Sequence, residues 1–262
     1  MRYYVVSDIH GFYTELERAL RDNGFFDDNE PNKLILCGDA LDRGKEAQKT
    51  VELLLKLLSE DKLIYIRGNH EDLLVRALDE IRHGGLYEIA AGMSVHYSNG
   101  TWSSLLQLAE MTPKEAVASQ NELLRRVKNS DYCKILLPKA IDYFETENYI
   151  FCHGWIPTFA SGVRPYRRYS FNDAWRKASE YEWEQARWLN GMELACKHKI
   201  TIPEKTIVCG HFHTSWGHSF IHHKCTEWNQ DAIFEPFYAE GIIALDACTA
   251  HSEKVNCIII DD

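Results

Sequence analysis

The stretch VVSDIHG, residues 5–11, passes from apolar to polar within a few positions and sets Asp8 and His10 two residues apart. Tyr3, Tyr4, Val5 and Val6 are aromatic and β-branched and read as a buried strand. On an extended segment residues i and i+2 point to one side, so both side chains are expected to reach a single atom where the strand ends. One D-x-H triplet arises often by chance. Its meaning depends on whether the pattern returns.

It does return. A strand expected at 2–7 precedes a helix at about 12–23, a strand at 33–37 (KLILC) precedes a helix at about 45–59, and a strand at 62–66 (KLIYI) precedes a helix at about 70–82. This β-α-β-α-β-α order implies a parallel sheet covered by helices, with ligands beyond the carboxyl ends of the strands. Residues 84–146 break the rhythm: a loop-like GGLYEIAAGMSVHYSNG precedes a polar-faced helical stretch, read as a helical insertion. Strands are expected again at 148–152, 205–209, 241–246 and 255–260, forming a second, mixed sheet, with a Trp- and Arg-rich helical stretch at about 171–198. With no internal repeat and no linker composition, 1–262 reads as one domain.

Composition narrows the class. A hydrophobic content of 45% and a charged content of 26% are those of an ordinary globular chain. A formal net charge of -10 argues against general affinity for nucleic acid or an anionic membrane. No run approaches a membrane span and no signal peptide is visible, so a cytoplasmic protein is expected. The eight cysteines form no C-x-x-C pair and several sit in apolar runs, which reads as reduced buried thiols.

The polar blocks at the strand ends carry the chemistry. In order they are SDIHG (7–11), GDALDRG (38–44), RGNHED (67–72), CHG (152–154) and CGHFHT (209–214). Each puts Asp, Asn or His after an apolar strand beside a glycine that permits a tight turn. Asp8, His10, Asp39, Asn69, His153, His211 and His213 can converge on one pocket. Carboxylate, imidazole and amide oxygen together suit a pair of borderline divalent ions.

These five ordered blocks resemble the calcineurin-like metallophosphoesterases. GDALDRG and RGNHE are similar to the phosphoprotein phosphatase branch, including the small phage and bacterial serine/threonine phosphatases. The resemblance implies a four-layer α/β sandwich, two packed mixed sheets flanked by helices, here with the helical insertion. It implies two divalent metals, Mn2+ foremost, with Fe, Zn, Ni or Co as alternatives. Asp8 and His10 would hold the first, Asp39 would bridge, and Asn69, His153 and His211 would complete the second. His213 fits the G-H-x-H form of many relatives, but the phosphoprotein phosphatase branch usually lacks it, so it is either a ligand or a pocket residue.

In such a centre a metal-held hydroxide attacks phosphorus directly, with no covalent phosphoenzyme. Arg43 is the candidate phosphate clamp, a surface ion pair being the bland alternative. His70 is the candidate general acid, oriented by Asp42. A second phosphate-binding arginine is expected among Arg164, Arg167, Arg168 and Arg187, with Arg187, in WEQARWLNG (183–191), favoured. Trp183 and Trp188 read as core or pocket wall, Asp246 as a structural turn residue, and His218, His222 and His223 as a solvated loop.

The expected activity is hydrolysis of phosphomonoesters, foremost phosphoserine or phosphothreonine in proteins, by a monomer. Symmetrical dinucleoside polyphosphate hydrolases share the blocks, but their second block typically lacks the second aspartate, so Asp42 favours the phosphatase branch. A small-molecule phosphatase or phosphodiesterase is a further alternative. A non-catalytic phosphate-binding module should have lost ligands, and none is missing here. A nuclease would need a basic strip with interleaved aromatics, and none is seen.

Overall fold

The computed structural model describes residues 1–162 and 167–262. Strand β1 (Arg2–Val6) pairs in parallel with β2 (Asn32–Cys37), and β2 with β3 (Leu63–Ile66). The connecting helices are α1 (Tyr13–Asp22) and α2 (Ala47–Ser59), and α3 (Asn69–Arg82) follows β3. All lie within a residue or two of the sequence expectation, because each helix carries one apolar stripe and each strand is a short apolar run.

The 84–146 stretch contributes five helices, α4 (Leu86–Ala90), α5 (Val95–Ser98), α6 (Thr101–Ala109), α7 (Pro113–Ala118) and α8 (Gln120–Asn129). The supposed loop before residue 101 is thus partly helical. A π-helical turn (Tyr132–Leu136) follows, and the stretch ends in a strand, β4 (Tyr143–Glu145). The helices do not form a separate body. Leu105, Leu123 and Val127 join Leu16, Leu20 and Leu54 in the core under the first sheet.

The second sheet runs β4, β5 (Tyr149–Cys152), β8 (Thr206–Cys209), β10 (Ile242–Ala244), β9 (Phe237–Ala239). Strands β5, β8 and β10 are parallel and the two outer strands antiparallel. A hairpin of β6 (Phe159–Ser161) and β7 (Arg168–Ser170) stands apart from both sheets. The Trp-rich stretch holds α9 (Glu180–Ala186) and α10 (Gly191–Cys196), while α11 (Thr214–Phe220) and α12 (Thr249–Ser252) follow β8 and β10.

One expected strand changes sheets. β11 (Cys257–Asp261) is not in the second sheet; it pairs antiparallel with β1 and completes the order β11-β1-β2-β3. That pairing covers the otherwise open edge of β1, and Arg2 Nε donates to Asp261 Oδ1 at 2.9 Å across it.

Side-chain alternation builds the layers. Tyr4, Val6, Leu34 and Leu36 face the helices of the first sheet. Tyr3, Val5, Ile35 and Cys37 face the other way and meet Phe151, Val208 and Leu245 of the second sheet. Ile150, Cys152, Ile207 and Cys209 point outward to Trp155, Trp183 and Leu194. The result is the α/β sandwich of two packed mixed sheets flanked by helices, and the carboxyl ends of β1, β2, β3, β5 and β8 open on one edge. No helix among the described residues is long and apolar enough to cross a membrane. All eight cysteines are free.

Candidate metal centre

The residues after those five strands meet in a buried cluster. Their convergence does not come from strand alternation. β1 ends at Val6, and Asp8 and His10 have positive φ (52° and 49°). So do Asp39 (57°), Asp42 (81°), Arg43 (64°) and His211 (65°). Left-handed backbone costs L-residues energy and persists where the surroundings over-determine it, a feature of functional turns. Glycines make the approach possible: a side chain on Gly68 would overlap the Asp39 carboxylate, and one on Gly210 would overlap Ser7 and Asp8.

Asp39 stands at the centre. One of its carboxylate oxygens lies 3.4 Å from His153 Nε2 and 3.8 Å from both His10 Nε2 and His70 Nε2. Two groups share it, His10–Asp39–His70 and Asp39–His153–His211, each with donor atoms within 4.8 Å of one another. Asn69 Oδ1 sits 2.7 Å from His153 Nε2 and 2.9 Å from His211 Nδ1. Asp8 Oδ1 is 4.0 Å from His10 Nε2, and its carboxylate accepts the backbone N–H of His211 at 3.0 Å. His70 Nδ1 donates to Asp42 Oδ2 at 2.7 Å. Arg43, exposed at the mouth, brings Nη1 to 2.9 Å from His10 Nε2 and Nη2 to 3.3 Å from His70 Nε2.

The family model for calcineurin-like phosphoesterases matches residues 1–215, a span that contains every one of these residues. The chain belongs to that family. Among curated relatives of this calcineurin-like phosphoesterase, the asymmetrical bis(5′-nucleosyl)-tetraphosphatase PrpE of Anoxybacillus flavithermus (strain DSM 21510 / WK1) is 24% identical over 142 residues, 52% of this chain and 53% of that protein. The PrpE of Oceanobacillus iheyensis is 32% identical over 82 residues, 29% of this chain and 33% of its own length. The chain spans about half the length, or less, of the curated relatives it matches. A solved serine/threonine phosphatase from Saccharomyces cerevisiae superposes with a TM-score of 0.49 at 11% identity, over 100% of this chain and 80% of that one. At that score the likeness carries nothing about substrate.

Members of the family are binuclear metallohydrolases, and the donors here fit two divalent ions. His10 and His153 each donate Nδ1–H to a backbone carbonyl, Leu41 at 3.1 Å and Cys37 at 2.8 Å. That fixes the tautomer and turns Nε2 toward the shared carboxylate, the arrangement metal-binding histidines favour.

Electrostatics separate the groups. Burial pushes the Asp8 carboxyl well above the usual range, and Asp246 adds to it. Burial acts on Asp39 in the same sense, but His153 and then His70 outweigh it and hold Asp39 well below. Burial lowers His10, with Arg43 repelling the same proton. His211 falls to about 3 through burial and the neighbouring His153. Burial opposes protonation of His153 and His70 too, yet Asp39 wins in both: His153 rises to about 10, and His70 rises with help from Asp42.

Two residues expected at the site are engaged by carboxylates outside it. His213 brings Nε2 to 2.8 Å from Glu227, with its ring between Phe212 and Trp228. Arg187 is buried, with Nη1 donating to Asp72 at 2.7 Å and Nη2 to Asp142. A buried guanidinium requires such carboxylates, and the two occupy its fork. Arg167 and Arg168 are exposed beside and on β7, and Arg164 lies outside the described residues. Trp183 is core, and Trp188 meets His211 edge-on with ring centres 5.7 Å apart. Asp246 accepts the Cys248 N–H at 2.7 Å, as a turn residue does. His218, expected in a solvated loop, is buried in α11 and reaches the Glu235 carbonyl at 3.1 Å.

Sequence reasoning missed two supports. Glu71 accepts the N–H groups of Gly68 (2.6 Å), Asp39 (3.0 Å) and Ala40 (3.0 Å) and the hydroxyls of Tyr65 (2.7 Å) and Tyr132 (3.1 Å). It ties the Asp39 turn to the Asn69 turn, and its place at the third position of a helix was the available signal. Thr101, on α6, donates to Asp42 Oδ2 at 2.8 Å, while Ser104 Oγ accepts the Asp42 N–H at 2.8 Å. Nothing in the sequence connects residues 59 positions apart.

Proposed function

We propose that this phosphoesterase hydrolyses phosphomonoesters of aliphatic alcohols, with phosphoserine or phosphothreonine in proteins as the leading substrate class. The observation that carries the reading is the Asp42–His70 pair, 2.7 Å apart, with Arg43 beside it. An alkoxide is a poor leaving group and gains most from a positioned acid. His70, raised by Asp39 and Asp42, holds a proton for it, and Arg43 supplies the fork that matches phosphate. His10, His153, His211, Asn69, Asp8 and Asp39 are the residues proposed to hold two divalent ions, Mn2+ foremost. When bound, such ions supply a nucleophilic hydroxide and neutralise phosphoryl charge. A cytoplasmic monomer completes the reading.

The second reading is cleavage of a dinucleoside tetraphosphate, favoured by the tetraphosphatase activity for which the PrpE relatives, matched over about half of their length, are named. Its leaving group is a phosphate, which needs little protonation.

The test is one set of assays on the metal-stripped protein refilled with Mn2+: a phosphothreonine peptide, a dinucleoside tetraphosphate and a bis-aryl phosphodiester. A higher kcat/KM on the peptide is expected. Preference for the dinucleotide would replace the first reading by the second, and inactivity on all three would remove both.

A further inference from the structure

A groove of about 910 Å3 opens beside the centre. Trp188 belongs both to its wall and to the edge of His211, and Phe212, the next residue in the chain, lines it as well. Phe159, Tyr181, Trp216 and Phe220 continue the wall. Several of these rings are open to solvent: Phe159 is 57% exposed, Tyr181 68%, Phe220 47% and Trp188 39%. Exposed aromatics gathered around one concavity mark a recognition surface rather than ordinary surface scatter.

We propose that this groove receives an extended peptide segment flanking the phosphorylated residue and selects an aromatic side chain within it. The inference rests on the protein-phosphatase reading above. Three observations favour a peptide. The wall carries both signs of charge, with Glu182 and Glu193 opposite in sign to Arg167 and Lys197. Glu182 is fixed in place by Ser179, whose N–H and hydroxyl each donate to it at 2.7 Å. Lys197 lies 3.9 Å from Glu193, so the charges of the wall balance: among the described residues it offers no cationic cluster for a polyphosphate chain and suits the mixed charges of a polypeptide. The β6–β7 hairpin supplies Phe159 and Tyr169 to the groove and pairs with no other strand among the described residues, so each of its strands keeps an edge to which an extended chain can hydrogen-bond. The aromatic wall begins one ring from His211, a gap of 5.7 Å between ring centres. At about 3.3 Å per extended residue, the selected side chain lies roughly two residues or more from the phosphorylated one.

The experiment uses the full chain loaded with Mn2+. Binding of fluorescein-labelled unphosphorylated peptides is read by anisotropy, with Trp or Ala placed in turn at each position around a central threonine. Hydrolysis of the phosphorylated counterparts is followed in parallel. The expected result is binding about tenfold tighter or more for Trp at one or two positions in that range. Tyr181→Ser and Phe220→Ser should each reduce the preference; neither side chain belongs to the buried core, so the fold tolerates them. Equal binding of Trp and Ala peptides, a preference untouched by both variants, or displacement of the peptide by adenosine would each overturn the proposal. Aromatic-selective binding without hydrolysis would leave the groove assignment standing and remove the phosphatase reading; hydrolysis without selectivity would do the reverse.

Discussion

Thr101 donates its hydroxyl to Oδ2 of Asp42 at 2.8 Å, the same oxygen that His70 Nδ1 meets at 2.7 Å. The other carboxylate oxygen, Oδ1, is buried with no hydrogen-bond partner among the described residues. Asp42 thus hangs on one helix of the 84–146 stretch, and that stretch aims the His70 ring. Thr101→Val keeps the shape and removes the donor. The expected outcome is a stability loss of about 1–3 kcal/mol and a kcat on an alkyl phosphate down about five- to tenfold with KM little changed. Thr101→Ser should restore most of the kcat. A Val variant with wild-type kcat would show that the hydroxyl only packs.

Glu71 offers a harsher test. Its Oε2 takes the N–H groups of Gly68 and Asp39, and its Oε1 takes Ala40 N–H and two tyrosine hydroxyls. A glutamine can present an acceptor at only one of those oxygens. At least one buried backbone N–H then loses its partner, at a cost of about 1–3 kcal/mol each. Glu71→Gln should therefore lower the urea midpoint at unchanged m-value, and it should weaken metal binding because the Asp39 and Asn69 turns lose their common anchor. A variant with full stability and full metal affinity would mean the turns are held by something else.

The same residues show what a sequence can tell. The β1–α3 half was legible because its elements are long enough to display a period of two or 3.6. Strands β4, β6, β7 and β9 are three residues each and escaped, whereas β10, equally short, was legible because it lies in the apolar run GIIAL. β11 was seen as a strand, but its partner was misjudged, since only the open edge of β1 decides where it goes. The site blocks were legible because Asp, Asn and His next to glycine after an apolar run have few other uses. The left-handed turns that aim them were not, nor was Arg187: a guanidinium in a Trp-rich helix reads alike whether it serves a phosphate or, as here, Asp72 and Asp142.

His153 sets a pH dependence. Without metal its proton is held to about 10 by Asp39, against an ordinary value of 6.5. A raised histidine adds stability that is complete below pH 6.5 and is lost as pH climbs through about 10. A metal ion must displace that proton. Two outcomes are expected between pH 6.5 and 9. The thermal midpoint in chelator falls as pH rises, while Mn2+ affinity climbs by up to about tenfold per pH unit for each proton released. Calorimetry in buffers of different ionisation enthalpy counts the protons. Binding without proton release in this range would contradict the assignment of His153 to the centre.

His70 is the residue on which the proposed substrate class turns. Its Nε2 faces Asp39 at 3.8 Å and Arg43 at 3.3 Å, so geometry alone permits either a metal ligand or a proton donor. His70→Asn separates the two. As a general acid, its loss should cost about 100-fold or more on an alkyl phosphate and far less on an activated aryl phosphate, whose phenolate leaves without protonation. Mn2+ stoichiometry should stay at the wild-type value. As a ligand, the same change should lower metal occupancy and depress both substrates equally, and excess Mn2+ should recover part of the loss. On a dinucleoside tetraphosphate a general-acid His70 should be nearly dispensable, because phosphate is the leaving group. A large, metal-independent loss on that substrate would sink the leaving-group argument and with it the preference for alcohol esters.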